Sequence, residues 1–192
     1  MKFEVIQNIE AIKKGTILIS EPYLGDPNFE RSVILITDVN KEGYVGFVLN
    51  RPVLDITIQN VLEEFHFNDN VVFVGGPVEQ NMLHFIYRSQ TPFSGSLKVA
   101  DGLYFGGDYE ELKSLMNSGN VKEEDIRFFI GYSGWEKGQL ENEFKSGSWI
   151  MTKTDSPEIM SLEPTTLWRT ILKSLGGKYQ MYSNYPVDPR LN

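Results

Sequence analysis

Ser32-Val33-Ile34-Leu35-Ile36-Thr37 and Val71-Val72-Phe73-Val74 are runs whose central residues are apolar at consecutive positions. A strand points alternate residues to opposite faces, so a run that is apolar throughout has to be covered on both. Further runs rich in β-branched and aromatic residues predict strands at Thr16–Ser20, Tyr44–Leu49, Leu83–Tyr87, Leu97–Ala100, Leu103–Phe105, Ile126–Gly131 and Ser148–Met151. Helices must supply the cover. Ile58, Val61, Leu62 and Phe65 recur at helical spacing after Thr57. Leu112, Leu115 and Met116 do so after Asp108, whose carboxylate can cap the helix with Glu111 three residues on; Gly119 ends it. Leu140 and Phe144 share one side of a third helix. The longest runs from Pro164 to the Gly176-Gly177 stop and presents Leu167, Trp168, Ile171, Leu172 and Leu175. The tail beyond, with Pro186 and Pro189, reads as an irregular arm. Strands outnumber helices and come in clusters, which argues against regular βαβ alternation and predicts an α+β domain with a mixed sheet.

The 192 residues are expected to form a single domain over the whole chain, long enough to bury a core without disulfides or metals. With 41% hydrophobic and 23% charged residues, the composition is that of a globular protein. The first 14 residues lack the apolar stretch of roughly 7–15 residues that a signal peptide needs. No run approaches the ~20 apolar residues of a spanning helix. A cytoplasmic protein with no membrane association is therefore expected. Cysteine is absent, which excludes thiolate catalysis and thiolate metal sites, and the two histidines have no ligand-spaced partners, so neither a metal nor a cofactor is expected. A net charge of −8 opposes direct nucleic-acid binding, because that affinity rests largely on Lys and Arg displacing counterions. The expected partner is a small molecule or another protein.

Three glycine-punctuated segments follow apolar runs: Gly43 to Pro52, Val74 to Val78 and Gly131 to Glu143. Loops delivered by a rigid scaffold are where binding and catalysis concentrate. Their strands, ending near Leu49, Val74 and Ile130, can bring Asn50, Arg51, Gly75, Gly76, Trp135, Gln139 and Glu143 to one cleft or patch. Arg51 carries a planar five-donor fork, and Pro52 is expected to keep Asn50-Arg51 from continuing a strand ladder. Arg51 then either pairs with Glu141 or Glu143 as an internal brace or opens onto a polar cleft roofed by an exposed Trp135. Gln139 and Glu143, four apart, share a helical face. Asp26 and Arg31, flanking Phe29, add a second polar pair or a turn-closing salt bridge.

Other chemical readings are weaker. Gly131-Tyr132-Ser133-Gly134 has its second glycine one residue too early for a nucleophile elbow, so Ser133 reads as a turn serine. Gly102, Gly106 and Gly107 precede a helix N-terminus that can hold an anion, but Asp108 occupies those donors. Gly75-Gly76-Pro77 lacks a phosphate-loop lysine, and its glycines serve positive φ or close backbone approach. His66 suits a helix C-terminus.

The ordered motifs Gly15-Thr16-Ile17-Leu18-Ile19-Ser20, Asp26-Pro27-Asn28-Phe29-Glu30-Arg31-Ser32-Val33, Gly46-Phe47-Val48-Leu49-Asn50-Arg51-Pro52, Gly75-Gly76-Pro77-Val78, Asp101-Gly102-Leu103-Tyr104, Gly131-Tyr132-Ser133-Gly134-Trp135 and Leu167-Trp168 resemble those of the AlgH/YqgE family of small bacterial proteins. The resemblance implies a mixed, bifurcated sheet curled into a pseudo-barrel with flanking helices. For activity it implies little beyond a proposed transcriptional-regulator role. Three function classes stay open: a regulatory or binding protein, an enzyme using carboxylates with Arg51, and a transcriptional regulator. No complete catalytic motif is present, which favours the first.

Overall fold

A computed structural model describes residues 3–62, 70–154 and 156–187. The sheet is organised around strand β9 (Ile126–Glu136). One edge of β9 carries β6 (Val78–Arg88), antiparallel. The other edge forks. Its C-terminal half pairs antiparallel with β3 (Gly43–Val48), from Gly43 opposite Glu136 to Gly46 opposite Ser133. Its N-terminal half pairs parallel with β5 (Val71–Val74), from Val72 opposite Phe128 to Val74 opposite Ile130. Beyond β3 lie β2 (Val33–Val39), β1 (Thr16–Ser20) and β10 (Trp149–Lys153); beyond β6 lie β8 (Leu103–Phe105) and β7 (Leu97–Ala100); β4 (Pro52–Thr57) pairs with β5. The mixed α+β fold and the forked sheet match expectation.

The sheet curls until β7 comes back against the start of β1, where the Gly15 backbone lies close to Val99 and Ala100. Strand alternation then sorts the apolar runs. Ile17, Ile19, Val33, Leu35, Phe47 and Phe129 face the concave side, filled by α4 (Leu167–Leu175) through Leu167, Trp168, Ile171 and Leu172. Leu18, Ile34, Ile36 and Val48 face outward under α3 (Gln139–Lys145). Val72, Phe85 and Phe128 face outward under α2 (Tyr109–Asn117), which contributes Leu112 and Met116. The consecutive apolar positions of β2 are thus buried on both faces. Trp168 also donates its indole N–H to the Ser20 carbonyl at 2.9 Å.

Several local expectations need correction. Asn50 and Arg51 do fall between strands, as expected, but Pro52 itself opens a further strand, β4: Pro is tolerated at the first residue of a strand, and β4 is an edge. The helix after Thr57 is one turn, α1 (Ile58–Val61), while Phe65 and His66 fall outside the described residues. The Gly176-Gly177 stop is followed by a further helix, α5 (Gly177–Tyr182), so the tail is not wholly irregular. The run Val71–Val74, expected to be covered on both faces, is so only at its centre: Val71 is exposed and Val74 half-buried. No helix among the described residues is long and apolar enough to cross a membrane.

Candidate functional site

The three glycine-punctuated segments do meet, through their backbones. The Gly75 amide donates to the Ile130 carbonyl at 2.9 Å, the Val48 amide to the Gly75 carbonyl at 2.9 Å, and the Val74 amide to the Arg51 carbonyl at 2.9 Å. The buried Ser133 hydroxyl donates to the same Gly75 carbonyl at 3.0 Å; its role is structural, but it sits within β9 and not in the expected turn, because the strand continues through Gly131 to Glu136. Gly75 and Gly76 are buried because the crossing is tight. A Cβ on Gly75 would overlap the Gly131 carbonyl, and one on Gly76 the Tyr132 backbone. These glycines permit a close approach and do not form a presented surface.

Asn50 and Arg51 turn away from this crossing to hold the preceding loop. Asn50 accepts from the Val33 amide through Oδ1 and donates through Nδ2 to the Arg31 carbonyl, both at 2.8 Å. Arg51 Nη2 donates to the carbonyls of Pro27 and Glu30 at 3.0 and 3.1 Å. It therefore braces backbone, and does not pair with Glu141 or Glu143 as anticipated. Burial lowers its pKa, with Asp26 and Glu30 opposing the shift. The Asp26–Arg31 pair is not the arrangement found either. Asp26 Oδ1 closes its own turn on the Asn28 amide at 2.8 Å. Arg31 donates to the Tyr185 and Pro186 carbonyls and lies 4.8 Å from the ring centre of Trp168, pinning the C-terminal segment.

The loop that Arg51 braces delivers Phe29 to a cluster of indoles. Phe29 stacks on Trp135 with ring centres 5.9 Å apart and meets Trp149 edge-on at 5.6 Å; the two indoles are themselves perpendicular at 6.0 Å. Trp135 is 4% exposed, so it is not the open anchor that its loop position predicted. Phe29 and Trp149 cover its ring, and its N–H is satisfied by Glu143. Glu143 Oε2 accepts both indole N–H groups, from Trp135 at 2.9 Å and Trp149 at 2.8 Å, and its Oε1 accepts the Gln139 amide at 2.9 Å. A buried indole N–H needs an acceptor, and one carboxylate serves two. Helix α3 places Gln139 and Glu143 one turn apart, as their spacing foresaw; its entry is Gly138 at φ 85°, a left-handed position. Behind the cluster, Tyr44, paired across the sheet with Trp135, donates to Glu141 Oε1 at 2.5 Å. Burial and that carboxylate push the phenol up to about 12.

Phe29, Trp135, Gln139, Glu143 and Trp149 line a cleft of about 400 Å³ that also includes Asp26, Pro77 and Ser148. Asp26, Trp135, Gln139 and Glu143 thus share one site. Asn50 and Arg51 act behind it, Gly75 and Gly76 lie beneath it, and Arg31 points elsewhere. Phe29 and Trp149 were not singled out from the sequence. A tryptophan opening a strand six residues after a glutamate was the available signal for the second. None of the described lining residues is basic, so the cleft offers two carboxylates and aromatic rings.

The other motifs take structural roles. Asp108 Oδ1 accepts the Glu111 amide at 2.8 Å and so caps α2 as expected, while Glu111 reaches back to the Ser94 amide at 2.9 Å. Glu123-Glu124-Asp125 is a single turn leading into β9, and Asp125 pairs with Arg88 at 2.7 Å. Among the described residues, no group of three or more His, Asp or Glu is placed to hold a metal ion.

Comparison with known proteins follows the same lines as the fold. Residues 17–180 match the family model described as AlgH-like. A UPF0301 protein of Cytophaga hutchinsonii is 46% identical over 182 residues, covering 94% of this chain and all of the relative. One from Chlorobium luteolum is 38% identical over 188 residues, covering 98% of this chain and 99% of that one. The solution structure of the AlgH protein from Pseudomonas aeruginosa is similar in fold, with a TM-score of 0.71 at 24% identity over 94% of this chain and 98% of that chain. A crystal structure from Corynebacterium diphtheriae gives 0.70 at 23% identity over 92% and 96%. With the family model spanning most of the chain and relatives matched over nearly their whole length, the protein belongs to the AlgH-like family.

Proposed function

We propose that the protein is a binding protein whose cleft between the Asp26–Phe29 loop and α3 takes a small organic cation. The observation that carries this reading is the Glu143 carboxylate, oriented by three donors from Trp135, Trp149 and Gln139 beside an open cleft of about 400 Å³. Such orientation is the preorganisation a binding group needs, since little side-chain freedom is left to lose when a ligand arrives. Asp26 adds a second negative group on the opposite wall, and the described lining has no basic side chain. An ammonium or guanidinium group can therefore be met by carboxylate oxygens in a setting that disfavours anions. The volume sits at the lower end of ordinary small-ligand pockets.

Trp135 and Trp149 report on the cleft directly. Tryptophan emission is followed while arginine, agmatine and spermidine are added, with acetate and a neutral amide as controls. The expected result is saturable quenching by the cations alone, weakened in Asp26→Asn. At 100 times the dissociation constant a ligand adds about 2.7 kcal/mol, a rise of roughly 5–11 °C in Tm for a chain of this size. Equal response to cations and controls, or none from any cation at millimolar concentration, refutes the reading.

A further inference from the structure

On the far side of the β9 fork lies a second recess, of about 680 Å³, between β5, the start of β9 and the turn Pro157–Ser161 with the residues after it. Its wall contains Arg127, which interrupts the apolar run Ile126–Ile130 and, by strand alternation, shares the concave face with Phe129. Arg127 is only 8% exposed. Its Nη1 donates to the Leu49 carbonyl at 3.0 Å and its Nη2 to the Met160 carbonyl at 2.9 Å, with the guanidinium 4.6 Å from the centre of the Phe73 ring. A guanidinium has five N–H donors, so those two bonds leave three unused, and both partners are neutral. A buried cation without a hydrogen-bonded counter-ion is costly. Burial lowers its pKa to about 10, Glu163 opposing that shift and Arg88 adding to it.

Among the described residues, no neighbour supplies the missing anion by direct contact. Glu163 directs Oε1 to the Thr165 amide and hydroxyl, and Arg88 is itself satisfied by Asp125, Ser161 and the Glu124 carbonyl. Asn70, on the same recess, has a buried Nδ2 donor with no partner among the described residues. The lining also includes apolar Phe73, Ile126 and Met160, together with Glu123, Glu124 and Glu163.

We propose that this recess is a binding site for a monocarboxylic acid with an apolar body, its carboxylate taken by the spare donors of Arg127 and by Asn70. The apolar lining residues take the body of the ligand, and the three glutamates select against a second negative charge.

The test is isothermal titration of the full chain with hexanoate, and in parallel with adipate and inorganic phosphate. Hexanoate is expected to bind saturably, adipate about tenfold more weakly because its second carboxylate meets the glutamates, and phosphate not measurably. Arg127→Lys keeps the charge but loses the fork, and should weaken hexanoate about tenfold or more. Because Arg127 also ties Leu49 to Met160, that variant can lose its fold. Asn70→Ala and Glu163→Gln then carry the test: the first should weaken hexanoate several-fold, and the second should narrow the hexanoate-to-adipate ratio. Absence of saturable hexanoate binding, or binding that Asn70→Ala and Glu163→Gln both leave unchanged, overturns the proposal, as does tighter binding of phosphate.

Discussion

Replacing Glu143 with alanine should damage the fold more than its position on an outer helix suggests. The change strands the indole N–H groups of Trp135 and Trp149, which are 4% and 3% exposed, and frees the Gln139 amide. Hydrogen bonds to a charged group contribute about 1.5–3 kcal/mol each, and a buried donor without a partner carries its full desolvation cost. The two indoles share one oxygen, so their losses overlap, and alanine regains a few tenths of a kcal/mol in helix propensity. A net loss of about 3–5 kcal/mol is expected, or roughly 6–20 °C in Tm for a chain of this length. Glu143→Gln keeps an acceptor for the indoles but sets its own amide donors near Gln139, so about 1–2 kcal/mol is expected there. Urea denaturation followed by tryptophan emission measures both. A third variant, Trp135→Phe, removes one donor; combined with Glu143→Ala it should cost less than the sum of the two, because the shared hydrogen bond is counted once. A Glu143→Ala loss below about 1 kcal/mol, or strict additivity with Trp135→Phe, would refute the clamp.

Phe129, fully buried at the centre of β9 against Phe47 and Phe73, should lose about 3–5 kcal/mol on truncation to alanine; urea midpoints check this, and a loss under about 1 kcal/mol would mean the concave core collapses to fill the space. Arg51→Ala releases the Pro27 and Glu30 carbonyls, and since Arg51 is half-buried the loss should be only about 1–2 kcal/mol. Hydrogen exchange should nevertheless quicken across residues 26–31 and Trp135 emission should shift as Phe29 loosens, and unchanged exchange there would show that the brace is idle. Tyr44 keeps its proton more tightly folded than unfolded, with its pKa at about 12 above the usual value near 10. Its contribution is therefore complete below about pH 10 and lost as pH rises through about 12. Burial also raises Tyr87, so ultraviolet titration should find more than one of the nine tyrosines ionising late, and Tyr44→Phe should remove the step near pH 12.

Much of the architecture was legible in the chain because strand and helix periodicities are local. The alternation that sends Val33 and Leu35 inward and Ile34 and Ile36 outward follows from the pleat, and continuous apolarity in β2 already required cover on both faces. The same holds for Gln139 and Glu143, whose four-residue spacing put them on one face of α3, and for Asp108 as the cap of α2. The meeting of Leu49, Val74 and Ile130 was also readable, since all three strands had to share one sheet, although β9 runs on to Glu136 and does not end near Ile130.

What the chain by itself left open was the partner of each side chain at that meeting point. Arg51 reaches residues more than twenty positions back, Arg31 reaches more than one hundred and fifty forward, and Glu143 closes on two indoles from different strands. Nothing in local spacing distinguishes a carboxylate partner from a carbonyl one. That choice rests on which backbones cross within about 3 Å, and it was made by the fork of β9 and the tight glycine crossing beneath it. Trp135 looked like an exposed anchor for the same reason: its burial depends on Phe29 and Trp149, which only the closed sheet brings to its side. Periodicity says which way a residue points, and tertiary packing decides what it finds there.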